Sequence, residues 1–587
     1  MSDARTAWKA LVAKALQAEF AARDLPGQGP VEAEIVVETP PDPAMGDLGF
    51  PMFAWAKSFR APPTAVAKFI ETRVLSDPEG PIQGRARAVG PYLNVDLDRV
   101  SEIEGIIGRA TAKDWGRVSS LLGKKVMIEF SSPNTNKPLH LGHLRNNVLG
   151  ESVSRILSAA GAEVRKINHI NDRGIHICKS MIAYMRKGGV RSPEDEGMKS
   201  DHFVGKYYVL FGELKGETPE IDAEAQELLL RWEAGDPATI ELWKKMNAWA
   251  VEGIKKTYAR TGIAFDLYDF ESDTYELGRS EVLKGLEGGV FFRAADGSIQ
   301  VDLEDVGLDK KVLLRKDGTS IYITQDIGTA IERHESWPYD RLVYVVASEQ
   351  QYHFKVLFEV LKRLGFAWAS DLHHLSYGLV NLPSGRMKTR EGTVVDADDL
   401  IDELAKLAAS EIEAKGREDA VGDFSEVSEK IALGALHYYL LQTAPTKDML
   451  YDPEASLSFN GDTGPYIQYM GARASSILRK SEGAEASKRR GSYSASRLEG
   501  DADWRLLRQV AAFPEAVEQA AERLDPSVVA NYLHELASGF STWYRDNPVI
   551  TNPDPDLAAS RLELVKVVYA TFKAATHLSC IPFLESM

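Results

Sequence analysis

The sequence predicts an α/β Rossmann-type catalytic core, a small N-terminal α+β domain and an all-α C-terminal bundle. Three observations carry that prediction. From about residue 123 to residue 400, short apolar runs alternate with helical patterns, which is how a parallel sheet with crossover helices reads. From about residue 424 onward strand signals fade and helical periodicity dominates. Ahead of both, residues 1 to about 115 mix helical and strand patterns with proline-rich turns.

The N-terminal segment opens with an amphipathic helix carrying Lys, Arg, Asp and Glu, which does not read as a secretory leader. A strand over Glu34 to Glu38 follows, then a turn at Pro40, Pro41 and Pro43. Helices are expected across Phe53 to Phe59 and from Pro63 through Ile70, and Val89 to Leu97 alternates like a strand.

In the core, Val126 to Phe130 reads as a buried strand. A loop leads from it into a helix with Leu144, Val148, Leu149, Val153, Ile156 and Leu157 at helical spacing, stopped by Gly161. Further strands are expected at Glu163 to Asn168, Ile321 to Thr324, Leu342 to Val346 and His374 to Leu379. Residues from about 185 to 275 interrupt the sheet as a helical insertion; its Trp243, Met246, Trp249, Ile254 and Tyr258 read as core. Val290 to Ala294 and Ile299 to Leu303, joined by Asp296-Gly297, read as a hairpin. Within the C-terminal bundle, Ser481 to Asp503 is expected to be a mobile loop, with Lys488-Arg489-Arg490 in solvent. The expected division is 1–115, 120–400 and 420–587, in keeping with a length of 587 residues. No internal repeats occur.

Composition narrows the function classes. Apolar content of 44% and charged content of 26% suit a soluble cytoplasmic chain, and no run of about 18 apolar residues is present to span a membrane. Cys178 and Cys580 are the only cysteines and lie far apart, which excludes a disulfide framework and a cysteine-based zinc site. A net charge of −17 argues against nonspecific nucleic-acid binding, but it leaves room for RNA recognised by shape and local patches.

The most informative stretch runs from Glu129 to His143. Its strand, loop and helix start form a site for nucleotide phosphates, because unpaired N–H groups and the helix dipole both face the anion. His140 and His143 fall on one face of the first turn, and Gly142 removes a side chain where adenine or ribose could approach. A metal held by the two histidines is disfavoured, since no third His or Cys is near in sequence. A guanidinium pocket needs carboxylates, neutral acceptors and an aromatic wall. Glu129, Tyr322, Asp326 and Gln350 lie near the C-terminal ends of candidate strands, where open α/β sheets bind ligands. Gln350 is favoured over Gln351 by its spacing to His353-Phe354.

Ser131-Ser132-Pro133-Asn134 with Lys137 and His140-Leu141-Gly142-His143 resembles the first signature of class I aminoacyl-tRNA synthetases, in the form used by arginyl-tRNA synthetases. The resemblance covers most of the chain. Gly46-Asp47 and Gly90-Pro91-Tyr92-Leu93-Asn94 resemble the N-terminal domain of that family, and Asn171-Asp172-Arg173-Gly174 the segment after the second core strand. Gly385 to Gly392 resembles the second signature loop, and Gly464-Pro465-Tyr466-Ile467-Gln468-Tyr469 with Arg473 the start of the anticodon-binding bundle.

The resemblance implies an arginine–tRNA ligase: arginine is activated with ATP and transferred to the 3′ end of tRNA(Arg). It implies arginine contacts from Glu129, Ser132, Asn134, His143, Tyr322, Asp326 and Gln350. For ATP it implies His140, Gly142, His143, Gly378 and Met387, with Lys137, His140, His143, Arg386, Lys388 and Arg390 stabilising charge at the phosphates. Arg386-Met387-Lys388-Thr389-Arg390 departs from the usual Lys-Met-Ser-Lys-Ser: Lys388 stands at the usual Ser position and Thr389 at that of the second Lys, for which Lys137 is thought to substitute. Tyr466, Tyr469 and Arg473 would contact tRNA, with Tyr438, Tyr439, Trp543, Tyr544 and Arg545 as further candidates. Mg²⁺ would arrive with ATP and no structural metal is expected; the family is usually monomeric. The rivals are a class I synthetase for another amino acid, a nucleotidylyltransferase sharing His-x-Gly-His, and a catalytically silent RNA-binding paralogue.

Overall fold

The structure, a computed structural model, describes residues 2–26, 29–40, 42–75, 84–218, 220–274, 276–381, 395–414, 422–483 and 491–587. Arg386, Met387, Lys388, Arg390 and Lys488-Arg489-Arg490 lie outside them.

The chain begins with α1 (Ser2–Ala22), whose Trp8, Val12, Leu16 and Phe20 recur every four residues and are buried. An antiparallel sheet follows, of β1 (Leu48–Pro51), β2 (Gly84–Val89) and β3 (Tyr92–Leu97) in the order β1-β3-β2, with α2 (Pro63–Leu75) and α3 (Arg99–Ala110). Two expectations fail here. Val89 to Leu97 is not one strand, because Gly90 at φ +57° with Pro91 turns the chain and makes β2 and β3 a hairpin. Glu34 to Glu38 is not a strand either: a 3₁₀ turn occupies Glu32–Glu34, and only Glu38 bridges to Gly49. Asp47, from the Gly46-Asp47 motif, is buried and takes the Leu97 N–H at 2.9 Å and the Trp504 indole N–H at 2.7 Å, joining this unit to the C-terminal helices.

The core contains β4 (Lys125–Glu129), α4 (Leu141–Ala159), β5 (Glu163–Ile170) and α5 (Ile175–Lys187). The insertion helices α6 (Ser200–Glu217), α7 (Ile221–Glu233) and α8 (Pro237–Thr261) lead to β6 (Leu267–Phe270) and α9 (Leu277–Glu287). A three-stranded antiparallel sheet of β7 (Phe292–Arg293), β8 (Ile299–Val301) and β9 (Lys311–Leu314) comes next. Then follow α10 (Tyr322–Ser336), β10 (Arg341–Ala347), α11 (Gln351–Arg363), β11 (Leu372–Tyr377), β12 (Val380–Asn381) and α12 (Ala397–Ala414). The main sheet is parallel throughout, in the order β11-β10-β4-β5-β6. β4 comes first in the chain and is flanked by β5 on one side and β10 on the other. The strand order therefore reverses at β4, the switch point where doubly wound sheets bind ligands.

Two readings of the core need correction. Ile321 to Thr324 is not a strand but the first turn of α10; its apolar residues continue as Ile327, Ala330 and Ile331, a helical period that a four-residue window cannot reveal. β6 lies inside the segment read as wholly helical, a four-residue strand with Asp269 in it and too short to signal itself. In the insertion, Met246, Ile254 and Tyr258 are buried as expected, with Trp243 and Trp249 partly so.

The C-terminal region comprises α13 (Phe424–Leu441), β13 (Met449–Leu450), α14 (Gly464–Ser481), α15 (Asp501–Ala511), α16 (Phe513–Arg523), α17 (Ser527–Asp546) and α18 (Pro555–Leu578). β13 pairs in parallel with β12, so the bundle is stitched to the core. The expected mobile loop is largely ordered from residue 491: Ser492 N–H donates to Asp556 at 2.8 Å and Ser494 N–H to Ser560 at 3.0 Å before α15 begins.

Two glycines set the position of α10. A Cβ on Gly278 of α9 would lie 1.6 Å from the Thr324 carbonyl oxygen, and one on Gly328 would lie 2.2 Å from the Gly278 nitrogen. The helices touch backbone to backbone, with no side chain between to yield. Gly278→Ala is therefore expected to destabilise the chain by about 3 kcal/mol, at the upper end of overpacking costs, read as a lower urea midpoint at unchanged m-value.

Candidate active site

The loop leaving β4 is strained and heavily braced. Ser131 (φ +73°) and Ser132 (φ +45°) are consecutive non-glycine residues in left-handed conformation, each costing on the order of 1–3 kcal/mol unless its surroundings enforce it. Ser131 N–H donates to the Asn146 side-chain oxygen, and its hydroxyl lies 2.6 Å from Tyr258 Oη. Ser132 N–H donates to Asn168 at 3.2 Å, while Asn171 donates to the Ser132 carbonyl at 2.9 Å. Asn134 is exposed beyond this brace, bridged to Asn171. Asp172 ties the same region to the helical turn after β6, accepting the Ser272 N–H at 2.9 Å and hydroxyl at 2.8 Å.

His140 is the N-cap of α4. Its Nδ1 accepts the Gly142 N–H at 3.1 Å, and the Nδ1 of His143 accepts the His140 N–H at 3.1 Å. Both rings are therefore assigned the tautomer with hydrogen on Nε2, leaving that N–H to donate elsewhere. Burial, with help from Lys137, brings His140 down to about 4; burial, then His140 and Lys137, holds His143 well below the usual histidine value. Lys137 is itself lowered by burial. The α4 start thus offers neutral imidazole donors within the positive end of the helix dipole. Gly142 serves a neighbour closer than any ligand: a Cβ there would sit 3.0 Å from the His140 ring.

Across the sheet, Glu129 is held by an internal guanidinium. Its carboxylate accepts from Arg333 of α10 and from the Ser132 hydroxyl at 3.3 Å. Arg333 also reaches Asp269 at 2.7 Å, and Asp269 reaches His169 at 2.9 Å. Burial would raise Asp269, but Arg333 and His169 outweigh it and hold the carboxyl at about 2. Asp326 is more open and pairs with His353 Nε2 at 2.6 Å. Tyr322, at the first residue of α10, is 77% exposed. Gln350 closes the 3₁₀ turn after β10 and Gln351 opens α11; both are exposed. Gly378, just past β11, donates its N–H to the Pro445 carbonyl at 2.9 Å, and a Cβ there would be 2.4 Å from Lys447 backbone.

On α14, Arg473 donates to the Tyr469 hydroxyl at 2.6 Å and its Cζ lies 5.8 Å from the Tyr544 ring centroid. Tyr466 lies one turn earlier on that helix, its ring 6.1 Å from His534. Tyr438 and Trp543 are buried instead, donating to Asp462 and Asp503, so they are core rather than RNA-facing. Among the described residues, Asp201, His202 and Asp398 could converge on a cation, but Lys199 Nζ already sits 2.9 Å and 2.7 Å from the two carboxylates. Arg333, Asp269, His169 and Arg145 escaped the sequence reading; a charged residue amid a buried helix pattern, as at Arg145, is the signal that could have revealed one of them.

A helix start with two neutral imidazole donors at the switch point of a parallel sheet, with a helical bundle joined to the core through the separate β12–β13 pair, is the plan of a class I aminoacyl-tRNA synthetase. Comparison with known proteins narrows the class. Residues 110–452 match the catalytic domain of class I tRNA synthetases (R), residues 6–97 the arginyl-tRNA synthetase N-terminal domain and residues 467–587 the DALR anticodon-binding domain. The arginine–tRNA ligases of Treponema denticola and Treponema pallidum are 54% and 50% identical, each aligned over 100% of both chains. The Thermus thermophilus arginyl-tRNA synthetase structure superposes with a TM-score of 0.80 at 28% identity, over 99% of this chain and 100% of that one. The chain belongs to the arginyl-tRNA synthetase family.

The buried histidines make stability depend on pH. His437 is likewise brought down to about 4 by burial. Each such ring takes up a proton on unfolding below its ordinary value of 6.5, so its contribution is complete above pH 6.5 and is lost as pH falls toward 4. Urea midpoints measured across that window should fall with falling pH. In His437→Gln the slope should be shallower by one proton, about 1.4 kcal/mol per pH unit.

Proposed function

We propose that the two halves of the sheet divide the work of an arginine–tRNA ligase between them. The chain is an enzyme of that kind: it joins arginine to ATP, releasing pyrophosphate, and passes the arginyl group to tRNA. On the α4 side, Lys137, His140 and His143 with the open backbone at Gly142 take the ATP phosphates, which arrive with Mg²⁺. Gly378 lines the adenosine side, and Met387 is assigned to ATP as well. Arg386, Lys388 and Arg390 complete the phosphate side. On the α10 side, Tyr322, Asp326 and Gln350 receive the guanidinium, while Asn134, Ser132 and His143 hold the amino-acid end. Glu129 contributes through its place beside Arg333.

The observation that carries this reading is the double cap at α4. It fixes both imidazoles as neutral Nε2–H donors, so they stabilise charge growing on the α-phosphate without first losing a proton. The arginine carboxylate is already ionised and needs no base, leaving positioning and electrostatics as the whole of the catalysis. Asp326 is the more open, half-buried carboxylate of the pocket, whereas Glu129 and Asp269 share the Arg333 guanidinium between them. Tyr466, Tyr469 and Arg473 are assigned to the tRNA anticodon arm, and the N-terminal unit over 1–115 to a second part of the tRNA. The reading also places the reaction in the cytoplasm, with the chain a monomer. No helix among the described residues is long and apolar enough to cross a membrane.

Amino-acid-dependent ATP–pyrophosphate exchange, run with and without tRNA, tests the assignment: exchange with arginine alone is expected, and exchange with lysine would overturn the pocket. Asp326→Asn should raise KM for arginine by about tenfold or more, since the bound guanidinium loses a charged acceptor; each tenfold is about 1.4 kcal/mol. An unchanged KM would remove Asp326 from the pocket.

A further inference from the structure

Arg145 lies two residues past His143 and is 1% exposed. Its guanidinium donates to four backbone carbonyls: Gly378 and Leu379 (3.3 Å) from one segment, Pro445 (3.2 Å) and Lys447 (2.7 Å) from another. No carboxylate oxygen is among these acceptors. Burial lowers Arg145, opposed by Tyr377 and Asp448.

Burying a guanidinium against neutral acceptors alone is expensive, and a well-packed apolar side chain often serves stability better. What the guanidinium supplies is a rigid planar fork of donors that spans two strands of chain at once, which a lysine ammonium, donating from a single point, cannot reproduce. The two segments are themselves one unit. Leu379 N–H donates to Asp448 at 2.7 Å, Met449 N–H to the Leu379 carbonyl at 2.9 Å and Tyr451 N–H to the Asn381 carbonyl at 2.8 Å. Further along, Leu141 N–H donates to the Val395 carbonyl at 3.1 Å and Ala397 N–H to the Leu139 carbonyl at 3.0 Å. The chain on either side of residues 382–394 is thus referred back to the first turns of α4, on one side through Arg145, joined by Asn146, which donates to the Tyr377 hydroxyl at 3.1 Å.

We propose that Arg145 is a positioning residue for the ATP-dependent step. It fixes how far Gly378 and the β12 stem stand from the His140–His143 pair, and it makes that distance follow the 445–447 turn at the base of the C-terminal bundle. The inference rests on the assignment of α4 and Gly378 to ATP. It leaves aside the guanidinium end of the arginine pocket, whose Tyr322, Asp326 and Gln350 lie on α10 and after β10.

Arginine-dependent exchange by the unaltered chain tests that assignment by itself; the Arg145 proposal is read from the ratio of variant to unaltered chain. In Arg145→Lys, KM for ATP should rise, or kcat fall, by about tenfold, since small misplacements of binding groups are costly. KM for arginine should stay within about twofold in the same variant. Asp448→Ala loosens the same stem from its exposed side while leaving all four hydrogen bonds of the guanidinium in place, and should raise KM for ATP by about threefold with melting little changed. That variant decides the matter if Arg145→Lys does not fold. An unchanged KM for ATP in Asp448→Ala, or ATP and arginine constants rising together in a folded Arg145→Lys, would overturn the proposal.

Discussion

The structure depends on the burial of one helix that is not apolar. Of the 19 residues of α4, 15 are buried, and among them are Arg145, Asn146, Asn147, Glu151, Ser152 and Ser154. A buried polar group must find a partner or cost a few kcal/mol, so the partners of α4 dictate what surrounds it. Arg145 draws in the turn after β11 and the turn before β13. Asn146 clasps the Ser131 N–H and the Val345 carbonyl, setting the loop after β4 and the end of β10. Glu151 takes Arg155 and Lys166, fixing β5, and Ser152 and Arg155 donate to the Leu578 and His577 carbonyls at the end of α18. Gly150 adds the steric half of the constraint, since a Cβ there would be 2.3 Å from the Phe130 ring.

Electrostatics then separates the two sides of the site. At the α4 start, burial keeps the histidines uncharged, so the helix dipole and N–H donors act on an anion without a fixed counter-ion to displace. On the α10 side the charges are abundant but arranged in a chain, Glu129–Arg333–Asp269–His169, in which each carboxylate already has a cation beside it. This leaves Asp326 with only a histidine partner.

Much of this was legible beforehand, for physical reasons that also explain the misses. β4, β5, β10 and β11 are apolar runs bounded by polar turns, and α4 has a long helical period with its own stop. The His140-Leu141-Gly142-His143 string sits at a helix start after a strand, as local chemistry leads one to expect. The start of α10 could not, because Ile321 to Thr324 is a β-branched run whose helical period emerges only beyond it. β6 was hidden by brevity, and the β2–β3 hairpin by alternation that continues through Gly90-Pro91. Arg145 betrays its burial by standing amid an apolar helical pattern, but the partners of Arg145 and Arg333 are far away in sequence and are defined only by the fold. The signal for Tyr438 and Trp543 was chemical type alone, which does not distinguish a core aromatic from one offered to RNA.

The reach of those partners bears on how the chain comes into being. Arg145 meets Lys447 across 302 residues, and Ser152 meets Leu578 across 426. As the chain leaves the ribosome, the nucleotide cradle emerges long before the carbonyls that answer its buried guanidinium. The Arg145 fork is therefore not fully satisfied until the turn before β13 has been made, nor the Ser152 hydroxyl until the last helix has. α4 is in this way made early and paired late, these buried polar groups answered only by chain that follows hundreds of residues behind.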